Sequence, residues 1–424
     1  MRHVPILIVA VVATMLATLA ALKAASLVRR HAPEPRVTRA PSVVADGGDA
    51  GQAQPRDARD WLRPDELGVR GTRMLHADAR HTARVLGIAP RTPEVAWSRD
   101  VGGPVEAQVS TSLDERTLYV ATLGGVLTAL SASDGAELWT LALGDRVYST
   151  PCVADDGTVL LGTDAKKFIA VSPEGKVRWT LDTEGEADTG AAVAPDGSIV
   201  FSAGTSVYDV TQHGLVKWRF SARRKVFTSP AIAAPGRIFV GSQDHHAYAL
   251  SSDGHLLWSA DLGADVDGTP VLGDDGAAFF GTDAGEIVRL DPDDGRIVWR
   301  TKVGGYVRGA LSVSRNGDVL AGVYGKTPRV VRLRPLDGAI VVQVLVAGTG
   351  SPDFGVHGGP AEDSAGTLLF GAQDDNLYAV DPDGNVLWRF TTGGDVDAPV
   401  TLLSDGTVVV GSDDGQVRAL RTPR

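Results

Sequence analysis

The residues able to do chemistry in this 424-residue chain are spread along it rather than gathered into one motif. When the chain is cut into units of about 40 residues, one position recurs at the start of a short apolar segment: Glu106, Tyr148, Asp188, Phe227, Asp267, Arg308, His357 and Asp397. Four of these are acidic, one is cationic and three are aromatic or imidazole. Neighbouring polar turns add Asp164, Asp244, His245, His246, Asp283, Asp374, Asp375, Asp413 and Asp414. If the units close around an axis, the eight recurring residues ring the mouth of a channel. Carboxylates converging on a low-dielectric funnel raise the local negative potential, so such a mouth would take a basic peptide, a cation or a loop of a partner protein. The plainer alternative is a solvated rim, because turns are rich in aspartate for backbone reasons.

Other reactive side chains read as structural. His76, Asp78 and His81 have the composition of a metal cluster, but residues of this kind near a strand start bond local backbone more often. The single cysteine, Cys152, follows Pro151 in an inner segment with nothing basic beside it, so it reads as a small buried apolar residue rather than a reactive thiol. Asp291 to Gly295 is a repeated turn and lacks the alternate aspartates and twelfth-position glutamate of a calcium loop. Lys326, Arg329, Arg332 and Arg334 alternate along one segment and read as a solvated face rather than a phosphate or lipid-head patch. There is no Gly-x-Ser-x-Gly elbow, no paired metal-binding histidine motif and no phosphate-binding glycine loop with lysine. Catalytic residues are therefore not expected.

The elements that would position the ring are legible from tryptophan. Trp97, Trp139, Trp179, Trp218, Trp258 and Trp299 follow one another at 42, 40, 39, 40 and 41 residues, and Trp388 falls on the same pattern after one missing marker. Asp337-Gly338-Ala339-Ile340-Val341-Val342 aligns with Asp294-Gly295-Arg296-Ile297-Val298-Trp299, so Val342 holds the vacant slot; Trp61 lies outside the pattern. Each unit divides into four short β-branched or aromatic segments bounded by Gly, Pro and Asp, with Asp-Gly pairs suited to hairpin turns. In the second unit these are a first strand around Val147–Pro151, then 158–161, 167–171 and a strand to Trp179. Third strands are expected at 126–130, 168–171, 207–210, 247–250, 287–290, 330–333, 377–380 and 417–420. Four antiparallel strands at this period predict an all-β, eight-bladed propeller. The last unit lacks a tryptophan strand and the Trp97 strand lacks a unit, so the N-terminal strand is expected to close the ring, which removes an unpaired sheet edge. The interval of 46 residues from Val342 to Trp388 holds an extra loop, Gly348 to Gly355, with Phe354 either a contact residue or folded beneath it.

The segments from Ala129 to Trp139 and from Ala379 to Trp388, with Gly393-Gly394 beyond, resemble the tryptophan-docking repeats of the pyrroloquinoline-quinone (PQQ) dehydrogenase propellers, a family pattern shared with the non-enzymatic BamB-like propellers of outer-membrane barrel assembly. The resemblance covers residues 95 to 424 and implies that each tryptophan docks between neighbouring blades. It also implies what an enzyme of the family would carry: an adjacent cysteine pair over the cofactor, calcium ligands and a catalytic aspartate on long insertions. One cysteine and nearly insertion-free blades do not supply them. No cofactor and no metal are expected.

Residues 5 to 22 form an uninterrupted apolar run after Arg2 and His3, which predicts a signal peptide or signal-anchor helix over 1–24. Lys23 interrupts the small-residue stretch and favours an uncleaved anchor. No cysteine follows the run, so the lipid anchor of BamB-type lipoproteins is missing. Residues 25–60, rich in Pro and Gly with mixed charge, read as a flexible tether, 61–95 as a lead-in and 96–424 as the propeller. A net charge of −11 argues against nucleic acid as a partner. The expectation is a monomeric, non-catalytic, extracytoplasmic scaffold that binds a protein partner, possible roles being envelope or outer-membrane protein assembly, with the membrane engaged through the N-terminal segment only. The alternative is a PQQ-dependent dehydrogenase or a cofactor- or cation-binding propeller.

Overall fold

A computed structural model of the chain describes residues 71–234 and 236–423 together with the strand Arg36–Arg39. The expected signal or anchor segment, Trp61 and most of the expected tether lie outside the described residues. No helix among the described residues is long and apolar enough to cross a membrane.

Eight antiparallel sheets follow one another, each built from four strands of the repeat; Arg36–Arg39 adds a fifth strand to the third sheet. Blade one comprises Ser110–Thr111, Thr117–Ala121, Val126–Ser131 and Glu137–Ala142. Blades two to seven repeat this plan from Cys152–Val153 to Val386–Thr391. Blade eight takes three strands from the C-terminus and its outer strand, Glu94–Asp100, from the N-terminal side. Glu94 pairs with Arg421 and Asp100 with Gln416, which closes the ring. The middle strands are buried throughout, as in Val159–Thr163 and Ser206–Val210, because neighbouring blades cover both faces. Outer strands alternate between exposed and half-buried positions, as in Glu137–Ala142. The third strands fall where the spacing predicts. The first strands are shorter than expected: Val147–Pro151 is irregular, and only Cys152–Val153 pairs. The first turn of the chain after the rim is thus held by side chains rather than by a ladder.

The tryptophan slot has a physical basis in the register. Each outer strand slips by one residue just before it, between Val177 and Trp179 in blade two and between Val95 and Trp97 in blade eight. Such a bulge re-aims the next side chain, here towards the neighbouring blade. Trp139 donates its indole N–H to the Pro173 carbonyl at 2.7 Å, Trp179 to Gln212 at 2.8 Å, Trp218 to Ser252 at 2.9 Å and Trp258 to Pro292 at 2.9 Å. Trp97 and Trp299 do the same to Ala132 and Pro335. Beside each carbonyl a turn glycine with positive φ lies against the indole face; a Cβ on Gly175 or Gly254 would overlap Trp139 or Trp218. Trp388 faces blade eight, whose outer strand comes from the N-terminal side and is not joined to Gln416–Arg421 by a turn, and it bonds Pro90 of the lead-in instead at 2.7 Å.

Blade six breaks the pattern. Val342 still packs on Gly384 but has no N–H to give. The Pro382 carbonyl that would receive an indole accepts from Arg332 Nη1 at 3.0 Å, as the Pro335 carbonyl accepts from Arg289 Nη1 beside Trp299, while Arg332 Nε reaches Asp318 at 2.7 Å. Arg332 is only 6% exposed. This corrects the expected solvated face: Arg332 is wedged between blades, and Arg329 folds back on the Val303 and Gly304 carbonyls.

The lead-in is a belt. From Gly71 to Ala89 it crosses the exit ends of the innermost strands in order. The carbonyls of Thr72, Arg73, Ala79, Arg80, Thr82 and Ala83 accept the N–H groups of Thr111, Val153, Ile232, Leu272, Val313 and Glu362, in blades one, two, four, five, six and seven. Turning this tightly puts His76, Ala77, His81 and Ala83 at positive φ, a conformation histidine tolerates better than most residues. His76 Nδ1 and His81 Nδ1 pair with the Leu311 and Pro270 carbonyls at 3.0 and 2.9 Å. Burial drives the pKa of His76 down to about 3, so both rings pin the belt as neutral groups.

Candidate functional site

The segment that enters each innermost strand carries a small apolar residue followed by the recurring position. That apolar residue anchors the loop. Val266, Val307, Val356, Val396 and Val105 lie against Gly241, Gly281, Gly322, Gly371 and Gly411 at the ends of second strands, where any Cβ would collide with them. All five valines are fully buried or nearly so. With the anchor fixed, the next side chain must face the axis. The loop is locked laterally by hydroxyls: Ser149 Oγ donates to the Thr189 carbonyl at 2.8 Å, the Gly190 N–H to Ser229 Oγ at 2.9 Å and the Ser229 N–H to Thr269 Oγ1 at 3.0 Å.

The result is one axial cavity of about 150 Å³ whose wall includes Glu106, Tyr148, Asp188, Phe227, Asp267, Arg308, His357 and Asp397. Leu75 of the belt also lines it, so the channel is a blind funnel floored by the lead-in. The side chains differ in company. Arg308 grips Asp283 through Nε at 3.0 Å and Nη2 at 2.9 Å, and its guanidinium lies 4.2 Å from the Tyr306 ring centroid. Arg146 pairs with Asp164 at 2.9 Å. Asp267 and Asp397 each accept from a glutamine, Gln243 at 3.1 Å and Gln373 at 3.3 Å. Phe227 is 36% exposed with Lys225 Nζ 5.1 Å from its ring.

The nine loop residues of the expected rim do not line the cavity. Asp244 and Asp374 accept the hydroxyls of Tyr248 and Tyr378 at 2.6 and 2.5 Å, and Asp414 is held by Arg418; these stabilise turns. His246 bonds the Asp244 carbonyl and His245 faces Asp265. Asp413 is the exception, because it turns back towards Asp397 and Asp395. Phe354 is half-buried, and its carbonyl accepts from Gly325. Cys152 is buried and free, its thiol pushed up to about 12 by burial.

Electrostatics divide the funnel. Burial, reinforced by Asp397 and Asp413, raises Glu106 to about 7. Burial and a hydrogen bond shared with Asp164 raise Asp188 to about 7. Burial raises Asp267 to about 6. Asp413 and Asp395 also rise to about 6, through burial and the Asp397 charge. Glu106, His357 and Asp397 come from the adjoining blades one, seven and eight, and their ligand atoms lie within 4.8 Å of one another, as do those of Asp395, Asp397 and Asp413. Asp395 and the two glutamines were not visible as site residues in the sequence. The signal was present in the repeated Asp-Val-Asp of 265–267 and 395–397.

Comparison with known proteins places this geometry. The family model described as "Outer membrane protein assembly factor BamB" matches residues 81–216, 167–264, 246–341 and 326–422. BamB of Xanthomonas campestris is 25% identical over 380 residues, covering 81% of this chain and 89% of that protein. BamB of Shigella dysenteriae is 25% identical over 243 residues, so the match spans 50% of this chain and 62% of that relative's length. Among solved structures, BamB from Moraxella catarrhalis superposes with a TM-score of 0.64 at 18% identity, covering 78% of this chain and 98% of that one. Quinohemoprotein alcohol dehydrogenase from Comamonas testosteroni gives 0.68 at 15% identity, covering 86% and 83%. At such identities the structural likenesses speak for the fold.

Proposed function

The chain belongs to the family described as outer membrane protein assembly factor BamB, and from that premise we propose that it is a non-catalytic extracytoplasmic scaffold that docks a protein partner in outer-membrane or envelope protein assembly. The observation that carries the reading is the family match from residue 81 to 422. The funnel face supports it: Glu106, Tyr148, Asp188, Phe227, Asp267, Arg308, His357 and Asp397 offer a rigid acidic and aromatic mouth, closed behind by Leu75, which suits a basic loop inserted from outside rather than a substrate passing through. The scaffold acts as a monomer, and its hold on the membrane is through the N-terminal apolar run. The net charge of −11 leaves nucleic acid outside its partners.

The dehydrogenase alternative fits these residues poorly. PQQ is a polyanion, whereas the funnel presents Glu106, Asp188, Asp267 and Asp397 to it, and the one cation there, Arg308, is already committed to Asp283. Cys152 lies buried in blade two with no second cysteine in the chain.

A photo-crosslinking residue at His357 or Phe354, activated in intact cells, tests the scaffold. Recovery of subunits of the outer-membrane assembly machinery supports the assembly role. Adducts confined to unrelated proteins would remove it. A PQQ chromophore retained by the purified chain after incubation with PQQ and calcium would reinstate the enzyme.

A further inference from the structure

We infer that the seam of the ring carries a site for a borderline divalent transition-metal ion, of the zinc or manganese kind, held by Glu106, His357 and Asp397. The three come from blades one, seven and eight, with ligand atoms within 4.8 Å of one another. Oxygen and nitrogen ligands of one tetrahedral ion sit about 3.4 Å apart, so closure by up to about 1.4 Å completes the set.

An acidic cluster alone would not argue for a metal. The second observation is Asp397 itself: it is 7% exposed, and its Oδ1 is buried without a hydrogen-bond partner, as is Oδ1 of Asp413 behind it. A carboxylate left in that condition is costly unless something positive faces it. Two other carboxylates of this face have a cation opposite them, Asp283 with Arg308 and Asp164 with Arg146, whereas Asp188 and Asp267 each also hold an unpartnered Oδ1. Among the described residues no lysine or arginine forms an ion pair with Glu106, Asp395, Asp397 or Asp413. The imidazole selects the class of ion. An all-oxygen set would suit calcium or magnesium, whereas one nitrogen with carboxylates suits zinc or manganese.

Position gives the ion a role. Blade eight is the blade assembled from both ends of the chain, by pairing Glu94–Asp100 with Gln416–Arg421. An ion shared by blades seven, eight and one would clamp that seam and stabilise the folded state by mass action.

The test is a calorimetric titration of the purified, untagged, EDTA-stripped full-length chain with Zn²⁺ alone, alongside melting curves. One ion per chain and a raised Tm are expected. Asp397→Asn and His357→Gln should each weaken binding by at least about tenfold, while Asp267→Asn, across the funnel, leaves it unchanged. Far-UV circular dichroism checks each variant; if Asp397→Asn does not fold, the half-buried His357→Gln decides. The site is refuted by absence of stoichiometric uptake, or by undiminished uptake in His357→Gln. Tight Ca²⁺ binding that ignores His357 while Zn²⁺ fails would overturn the assignment in favour of an oxygen-only site. Loss of the metal would leave crosslinks from Phe354 untouched, so the two readings fail separately.

Discussion

Asp188 and Asp267 face the axis from blades three and five, across the funnel from the seam, and each is half-buried, with its Oδ1 shielded from solvent and without a partner. Burial raises their pKa values to about 7 and about 6, above those of an unfolded aspartate. The folded chain therefore holds protons that the unfolded chain has lost between about pH 4 and pH 7, and stability falls as pH rises through that window. Asp414 acts in the opposite sense. Its salt bridge with Arg418 and its hydrogen bonds outweigh its burial and hold it down to about 2, so its contribution is lost only in strong acid. Buried neutral His76 and His81 pull the other way below the ordinary histidine range. Five raised carboxylates, Glu106, Asp188, Asp267, Asp395 and Asp413, outnumber them, so the metal-free chain should melt higher at pH 5 than at pH 8. Asp188→Asn should flatten that slope by raising Tm at pH 8 while changing it little at pH 5. Thermal melts at the two pH values check this, and an unchanged slope would mean that Asp188 is already ionised at neutral pH. Such a group reads in the sequence only as an aspartate at a repeat position. Its burial depends on seven other blades, and no local pattern encodes that.

The blade is the scale at which the sequence was most readable, because its markers are backbone-driven. Glycine is required where the turn takes positive φ against an indole face, tryptophan where the strand bulges, and β-branched residues where both faces are covered. These constraints repeat, so eight copies reinforce one another. Blade six was misread for the complementary reason. Arg332, which bonds the Pro382 carbonyl across the blade interface, looks in sequence like any exposed strand arginine, and only the position of that carbonyl shows what it does. Two predictions belong here. Trp258→Ala removes a docked indole and its bond to Pro292, and should cost about 3–5 kcal/mol. Arg332→Met breaks a buried pair with Asp318 and strands a carbonyl, and should cost about 3 kcal/mol. Adding Val342→Trp to Arg332→Met should recover part of that loss, and Val342→Trp alone should also stabilise the chain, since the Pro335 carbonyl of the preceding interface accepts from Arg289 and Trp299 together. A double-mutant cycle from urea melts measures the coupling; strict additivity would show that the arginine and the tryptophan slot do different jobs.

At the scale of the molecule, two devices keep eight similar blades from behaving as a loose array: the shared outer strand of blade eight and the belt of residues 71–89. The belt was legible only as a lead-in, since its bonds run from its carbonyls to strands as far away in sequence as Glu362, which bonds Ala83. If it acts as one unit, loosening one end must loosen the other. Arg84 locks the far end, through Asp274 at 2.9 Å and the Val313 and Ser314 carbonyls. Cys152 reports on the near end: it is fully buried beside the bond from Val153 to the Arg73 carbonyl, and it is the chain's one thiol. Labelling of Cys152 by a thiol reagent therefore requires opening, and its rate follows the open population when reclosing is fast. Arg84→Ala should accelerate Cys152 labelling well below the denaturation midpoint. Trp258→Ala, destabilising by a similar amount at a blade interface away from the belt, should not. Equal acceleration in both variants would mean that Cys152 is reached only by global unfolding. No acceleration in Arg84→Ala would mean that each blade holds its own stretch of the belt independently, leaving ring closure by the N-terminal strand as the one cooperative tie across the molecule.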